Sequence, residues 1–206
     1  MPKSELQGVA VLVTRPIHQA GPLCDLIEAA AGEAIRFPVL AIHPPRDPEA
    51  ARSRVEHLDE FDIAIFVSAN AVHRGAELIW AHRDTVPARL RLAAVGGATA
   101  RAMEKQLGRG PDIQPDGRFD SEGLLATAAL REPRGTAIII FRGEGGRELL
   151  AETLRSRGAR VEYAEVYRRA RPAGGLGSAR YGTNVDLITV TSTEGLGKFF
   201  HMAATE

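Results

Sequence analysis

Short apolar runs alternate along this chain with segments of helical period, and that alternation limits its fold more than any other feature. The runs are Val9–Val13, Asp62–Val67, Leu92–Val95, Thr136–Phe141 and Asp186–Thr191. Most lack the polar alternation of a half-exposed strand, as expected of strands covered on both faces of a parallel sheet. Between them, Leu23, Leu26, Ile27 and Ala30 recur at i, i+3, i+4, i+7, and so do Leu196, Phe199, Phe200 and Ala203. Leu149, Leu150, Thr153 and Leu154 form a third apolar stripe. Strands and helices taken in turn predict an α/β fold with parallel sheets.

An internal repeat refines this reading. Asp62-Ile-Ala-Ile-Phe-Val-Ser68-Ala-Asn-Ala-Val72 returns 124 residues later as Asp186-Leu-Ile-Thr-Val-Thr-Ser192-Thr-Glu-Gly-Leu196. In both copies Asp opens the strand, Ser follows six residues on, and an apolar residue four beyond Ser starts a helix. The spacing exceeds the ~20–50 residues of a solenoid repeat and points to two similar domains. Two proline-punctuated stretches, Phe37–Pro45 and Ala164–Pro172, read as extended strands outside the main sheets. If they pair, residues 37–44 and 165–172 form a two-stranded linker. A second domain, 45–164, is then inserted in a discontinuous first domain of 1–36 plus 173–206. The inserted piece holds five βα-like units. The outer piece holds three strands, Val9–Val13, Ala34–Phe37 and Asp186–Thr191, so its sheet is expected to be incomplete towards the C-terminus.

Composition removes several functional classes. Over 206 residues, 26 Lys and Arg balance 26 Asp and Glu, which argues against a general nucleic-acid binder. Of the cations, 23 are Arg and three are Lys (Lys3, Lys105, Lys198). The planar guanidinium fork suits an anionic ligand, although the codon usage of a GC-rich genome explains the bias as readily. One cysteine excludes an internal disulfide and fits a reducing compartment. No apolar run approaches the ~20 residues that cross a bilayer. The opening MPKSELQG lacks a signal-peptide core, so a cytoplasmic location is expected.

In doubly wound sheets, ligands bind beyond the carboxyl ends of the strands. Here those ends carry Thr14-Arg15-Pro16, Ser68-Ala69-Asn70, Gly96-Gly97-Ala98-Thr99, Arg142-Gly143-Glu144-Gly145-Gly146-Arg147 and Thr191-Ser192-Thr193. Each leads into a helix and offers free N–H groups to an anion, although capping is the commoner use of any one Ser or Thr. Nucleotide fingerprints fail: Gly143-Glu-Gly145-Gly146-Arg-Glu148 would need Gly at 148, and no P-loop is present. Cys24 lies on an apolar stripe and reads as a core thiol. The six His show no i, i+4 pair, so no metal site is expected, and no G-x-S-x-G flanks any Ser. Tyr167 sits in the second linker, where a hinge would turn its phenol towards a cleft as a hydrogen-bond donor or weak acid. Linker packing is the other reading.

The chain resembles the uroporphyrinogen-III synthase family from about Val9 to Leu196. The matching elements occur in order: Val13-Thr14-Arg15-Pro16, Phe66–Val72, Val95-Gly96 with Thr99-Ala100, and Ser121-Glu122-Gly123-Leu124-Leu125. They continue as Arg142-Gly143 with Gly146–Leu150, Val166-Tyr167-Arg168-Arg169, and Thr191–Leu196. The resemblance implies two flavodoxin-like domains, doubly wound around parallel sheets and joined by a two-stranded linker. It also implies a cofactor-free lyase that closes hydroxymethylbilane to uroporphyrinogen III. Loss of a hydroxyl as water leaves an azafulvene cation, and attack through a spiro intermediate inverts ring D. By the same resemblance Tyr167 is the catalytic candidate. Thr14, Arg15, Ser68, Asn70, Gly96, Thr99, Ser121, Arg142, Gly143, Arg147, Thr191 and Ser192 are the substrate-binding candidates. The implied partner is a linear tetrapyrrole with many carboxylates, held by a monomer with no metal, nucleic-acid or membrane partner.

Family members continue beyond the point where this sequence stops, through a further strand, a G-x-x-T-A-like turn and closing helices. That departure keeps a second reading open: a regulatory tetrapyrrole- or anion-binding module derived from the fold, cut from a DNA-binding fusion. A generic two-domain anion binder is a third, resting on fold analogy alone.

Overall fold

The computed structural model describes residues 5–170, 172 and 184–203. Its strands are β1 (Ala10–Val13), β2 (Glu33–Arg36), β3 (Ala41–His43), β4 (Ile63–Phe66), β5 (Arg91–Ala94), β6 (Ala137–Gly143), β7 (Arg160–Ala170) and β8 (Leu187–Thr189). Its helices are α1 (Ile17–Ala29), α2 (Pro48–Glu56), α3 (Ala69–His82), α4 (Gly97–Leu107), α5 (Ser121–Leu125), α6 (Ala128–Arg131), α7 (Leu149–Ser156) and α8 (Thr193–Ala203). The chain divides into two units, one of Pro44–Arg168 and one of Met1–His43 with Arg169–Glu206. It is an α/β fold built on parallel sheets.

The larger unit is organised around four strands in the order β7-β6-β4-β5, and β3, next to β7 in the same sheet, ends at the boundary of the unit. The β4–β5, β4–β6 and β6–β7 pairs are all parallel. Counted from β4, the four longer strands run 2-1-3-4 in space, so the winding reverses between β4 and β6. Every residue of β4 and β6 is buried, which explains why neither run alternates. Phe66 and Phe141 stack with centroids 4.5 Å apart. On the other face of the sheet Ile63, Ile65, Ile138 and Ile140 form one apolar cluster with Leu150 and Leu154 of α7. The five βα units expected here are not all realised. Between α4 and β6 the chain forms α5 and α6, and its sheet contact there is a single bridge from Ile113 to Ala93.

In the smaller unit the order is β2-β1-β8, again parallel. Alternate residues of β1 face opposite ways. Val11 and Val13 pack with Ala20, Cys24 and Ile27 of α1, and Leu12 packs with Phe37, Val39 and Met202. The helical stripes are met in part: in α1 Leu23, Cys24 and Ile27 face the core as expected and Leu26 does not, and in α8 Phe199 faces it while Leu196 and Phe200 do not. Leu26 is 69 % exposed, and small Ala20 and buried Cys24 instead allow α1 to approach the sheet. In α8, Phe199 and Met202 turn inward while Leu196 and Phe200 are exposed. Parts of the expected first domain, 173–183 and 204–206, lie outside the described residues.

The 124-residue repeat has a plain physical basis. Asp62 Oδ2 accepts the Ala137 N–H at 2.8 Å, and Asp186 Oδ2 accepts the Ala10 N–H at 2.8 Å. Each Asp thereby ties the foot of its own strand to its neighbour. Ser68 Oγ accepts the Ala71 N–H at 3.1 Å and Ser192 Oγ the Gly195 N–H at 3.0 Å, so each Ser caps its helix. The helices start immediately after Ser, three residues earlier than the apolar pattern indicates.

The stretch 165–172 is not outside the main sheet. Residues 160–170 form one strand that pairs with β6 as far as Tyr167. Pro172 restricts the residues beside it and leaves the preceding strand free to pair.

Candidate active site

At the carboxyl end of the larger unit's sheet, three of the expected site residues converge. Ser68 follows β4, Gly143 ends β6, and Tyr167 lies opposite Gly143 on β7. The register slips between Arg142 and Gly143, which face Glu165 and Tyr167 and leave Val166 over. Such a bulge re-aims the side chain that follows it. The Tyr167 ring is completely buried, and its hydroxyl lies 3.3 Å from Ser68 Oγ. A Cβ on Gly143 would fall 2.5 Å from that ring, so only glycine allows the approach. Tyr167 is thus a sheet residue, not a hinge residue exposed to a cleft as expected.

Arg142 also departs from expectation. It is 4 % exposed, and buried charge is costly unless paired. Its Nη1 donates to Glu148 Oε1 at 2.8 Å, and its Nε donates to the Gly143 carbonyl at 3.1 Å. Its guanidinium carbon sits 4.4 Å from the Tyr163 ring centroid. Tyr163 donates its hydroxyl to Glu148 Oε2 at 2.5 Å. The Tyr163 hydroxyl first and Arg142 second hold the Glu148 carboxyl below the usual glutamate range. Burial, reinforced by Glu148, pushes the Tyr163 phenol up. Arg142 is therefore engaged within the protein and does not stand open to an external carboxylate.

The other candidates are spread over the sheet ends. Gly96 precedes α4 with Phe119 against it, and Thr99 is 5 % exposed inside that helix. Asn70 lies in the first turn of α3. Ser121 opens α5, whose cap is Asp120, accepting the Gly123 N–H at 2.8 Å. That bond, ahead of Arg118 and Arg147, lowers the Asp120 carboxyl. Arg147 donates to Glu122 at 3.0 Å yet stays 69 % exposed, so it remains accessible. In the smaller unit Thr14 is 3 % exposed and donates its hydroxyl to the Thr189 carbonyl at 2.6 Å. It prolongs the β1–β8 pairing and is not available to a ligand. Arg15 has a buried Nε without a hydrogen-bond partner among the described residues. Thr191 and Ser192 are exposed at the end of β8.

A match between residues 22–206 and the family model described as uroporphyrinogen-III synthase HemD decides the family. The chain belongs to the uroporphyrinogen-III synthase family. It is 33 % identical to the uroporphyrinogen-III synthase of Salmonella typhimurium over 198 residues, covering 94 % of this chain and 80 % of that one. Against the Synechococcus elongatus synthase it is 28 % identical over 212 residues, covering 100 % of this chain and 78 % of the relative. Among solved structures, a mutant uroporphyrinogen III synthase from Thermus thermophilus superposes with a TM-score of 0.65 at 23 % identity. That match covers 94 % of this chain and 77 % of the other. The Helicobacter pylori uroporphyrinogen-III synthetase gives 0.57 at 13 % identity, covering 94 % and 78 %. These two likenesses concern the fold. The family is one of lyases in heme biosynthesis.

Within this synthase-family frame, the roles of five residues, Asp62, Asp186, Glu144, Glu148 and Tyr163, escaped the sequence reading. Asp62 and Asp186 were visible as a repeat, but their hold on a neighbouring strand was not. Glu144 accepts the Arg46 N–H and ties the turn after β6 to the start of α2. Tyr163 and Glu148 enclose Arg142, and no local motif marks that pairing across two elements. A cavity of about 500 Å³ is lined by Arg46, Arg54, Asp47, Glu144, Tyr163 and Glu165 among others. None of the expected synthase site residues lines it, and its mixed charge selects no anion. Among the described residues no cluster of His, Cys, Asp or Glu could hold a metal.

Proposed function

We propose that Ser68, Gly143 and Tyr167 form the proton-donating part of a site that closes hydroxymethylbilane to uroporphyrinogen III. The observation that carries this reading is their convergence where the winding reverses between β4 and β6, the usual ligand position in such sheets. The Tyr167 hydroxyl gives its proton to the departing hydroxyl of the substrate, which leaves as water. Ser68 Oγ lies 3.3 Å from the phenol oxygen, and once the proton has left, its hydrogen steadies the phenolate. The azafulvene cation is then attacked by the substituted position of ring D, giving the spiro intermediate. The bond from that position to the ring C methylene breaks, and the unsubstituted α-position of ring D attacks the azafulvene cation so formed. The proton lost from that carbon as the pyrrole regains aromaticity restores the phenol. Most of the rate is orientation of the chain for spiro attack over simple closure.

In the larger unit, Arg147 and the N–H groups after β5 and β6 are the proposed holders of acetate and propionate groups. The two units act as flavodoxin-like domains, with β3 and the end of β7 as connecting strands. The strand orders 2-1-3 and 2-1-3-4 support this. The enzyme works as a cytoplasmic monomer without cofactor, nucleic acid or membrane. The charge balance supports the absence of a nucleic-acid partner, and no helix among the described residues is long and apolar enough to cross a membrane.

The test is Tyr167→Phe. It should lower kcat by about tenfold or more, the low end of acid catalysis being set by the share that orientation supplies, and should leave the melting midpoint nearly unchanged. An unchanged kcat would return Tyr167 to packing.

A further inference from the structure

We propose that Arg142 is a positioning residue, which fixes the turn Gly143–Glu148 by gripping both its ends, and not a ligand for the substrate's carboxylates. The kinetic part of this inference rests on the synthase reading above; the structural part does not.

Arg142 reaches the first residue of the turn through the Gly143 carbonyl and the last through the Glu148 carboxylate. Tyr163 closes the arrangement by lying against the guanidinium and donating to the other Glu148 oxygen. Both carboxylate oxygens are thus held, by donors from β6 and β7. Glu165 adds a second carboxylate 3.9 Å from Nε. The turn folds over the guanidinium closely: a Cβ on Gly146 would lie 2.8 Å from Nη2. An external anion would have to displace Glu148 from a 4 % exposed arginine that already has its charge balanced. What the turn presents instead is its backbone, at the carboxyl end of β6 and beside Ser68 and Tyr167. Held in one shape, that backbone is preorganised for the substrate; released, it must be ordered on binding.

The two roles predict opposite effects of Glu148→Gln. If Arg142 were itself the anion's ligand, weakening its internal partner would free its charge and lower KM. A positioning role makes Glu148→Gln and Tyr163→Phe raise KM several-fold, roughly what loosening one charge-assisted hydrogen bond gives, with kcat within about twofold. Hydrogen exchange over peptides spanning residues 143–148 supplies a readout independent of activity. It should quicken by about tenfold in either variant while the rest of the larger unit stays protected. Arg142→Lys, which keeps the charge without the two-pronged grip, should behave like Glu148→Gln. Unchanged exchange in Glu148→Gln, or a lowered KM, would overturn the proposal. If the unmodified chain yields only the type I product, the synthase reading fails, while exchange still decides whether Arg142 fixes the turn.

Discussion

Glu148 shows what a single residue contributes and how it is tested. Tyr163 and Arg142 both bind its charged form, and Arg155 adds a favourable field, so ionisation is easier in the folded chain than in the unfolded one. A carboxyl with a lowered folded pKa contributes stability that is full above the unfolded value. That contribution is lost as pH falls through the lowered one. A carbon-detected titration of Glu148 should accordingly show its midpoint below the usual glutamate range, moving back up in Tyr163→Phe. A midpoint unmoved by that change would contradict the hydrogen bond as its cause. At this scale residue types were legible in sequence but their partners were not. Arg142 was visible as a cation after a strand. That it is balanced by Glu148 six residues on and by Tyr163 on the next strand depends on strand order, which one sequence does not reveal. The role of Thr14 was hidden in the same way, because its acceptor Thr189 is far along the chain.

Among the elements, burial on both faces made the inner strands easy to read and the helices harder. Runs such as Ile138–Phe141 can be little else than central strands, and β6 is buried throughout. The stripes of α1 and α8 were only partly legible because each helix carries apolar residues beyond the face that packs, such as Leu26 in α1 and Leu196 and Phe200 in α8, and packing then selects the face. In α7 the narrower stripe leaves no such choice, and Leu150, Ala151 and Leu154 are buried against the sheet. Leu154→Ala should therefore destabilise the larger unit by about 2–5 kcal/mol, the range for removing a fully buried leucine side chain. Chemical denaturation would read this as a lower midpoint with little change in slope. A loss below about 0.5 kcal/mol, the level of a surface change, would mean that the α7 contact is not part of the core. The end of β7 was legible in part: it neighbours β3 as the two proline-punctuated stretches suggested, but proline spacing does not show that the same strand also pairs with β6.

For the whole molecule, the repeat was the most informative sequence feature, since its Asp clamps and Ser caps recur in both units and mark equivalent βα turns. The family match then leads to one chemistry, closure of a linear tetrapyrrole with inversion of its last ring. The most direct measurement generates hydroxymethylbilane in situ, adds this 206-residue chain, and reads the isomer ratio of the uroporphyrin formed after oxidation. Uncatalysed closure gives the type I isomer, so each run carries its own control. The type III isomer should predominate, in proportion to added protein. A product that stays type I at every protein concentration would contradict the assignment of synthase activity to this chain.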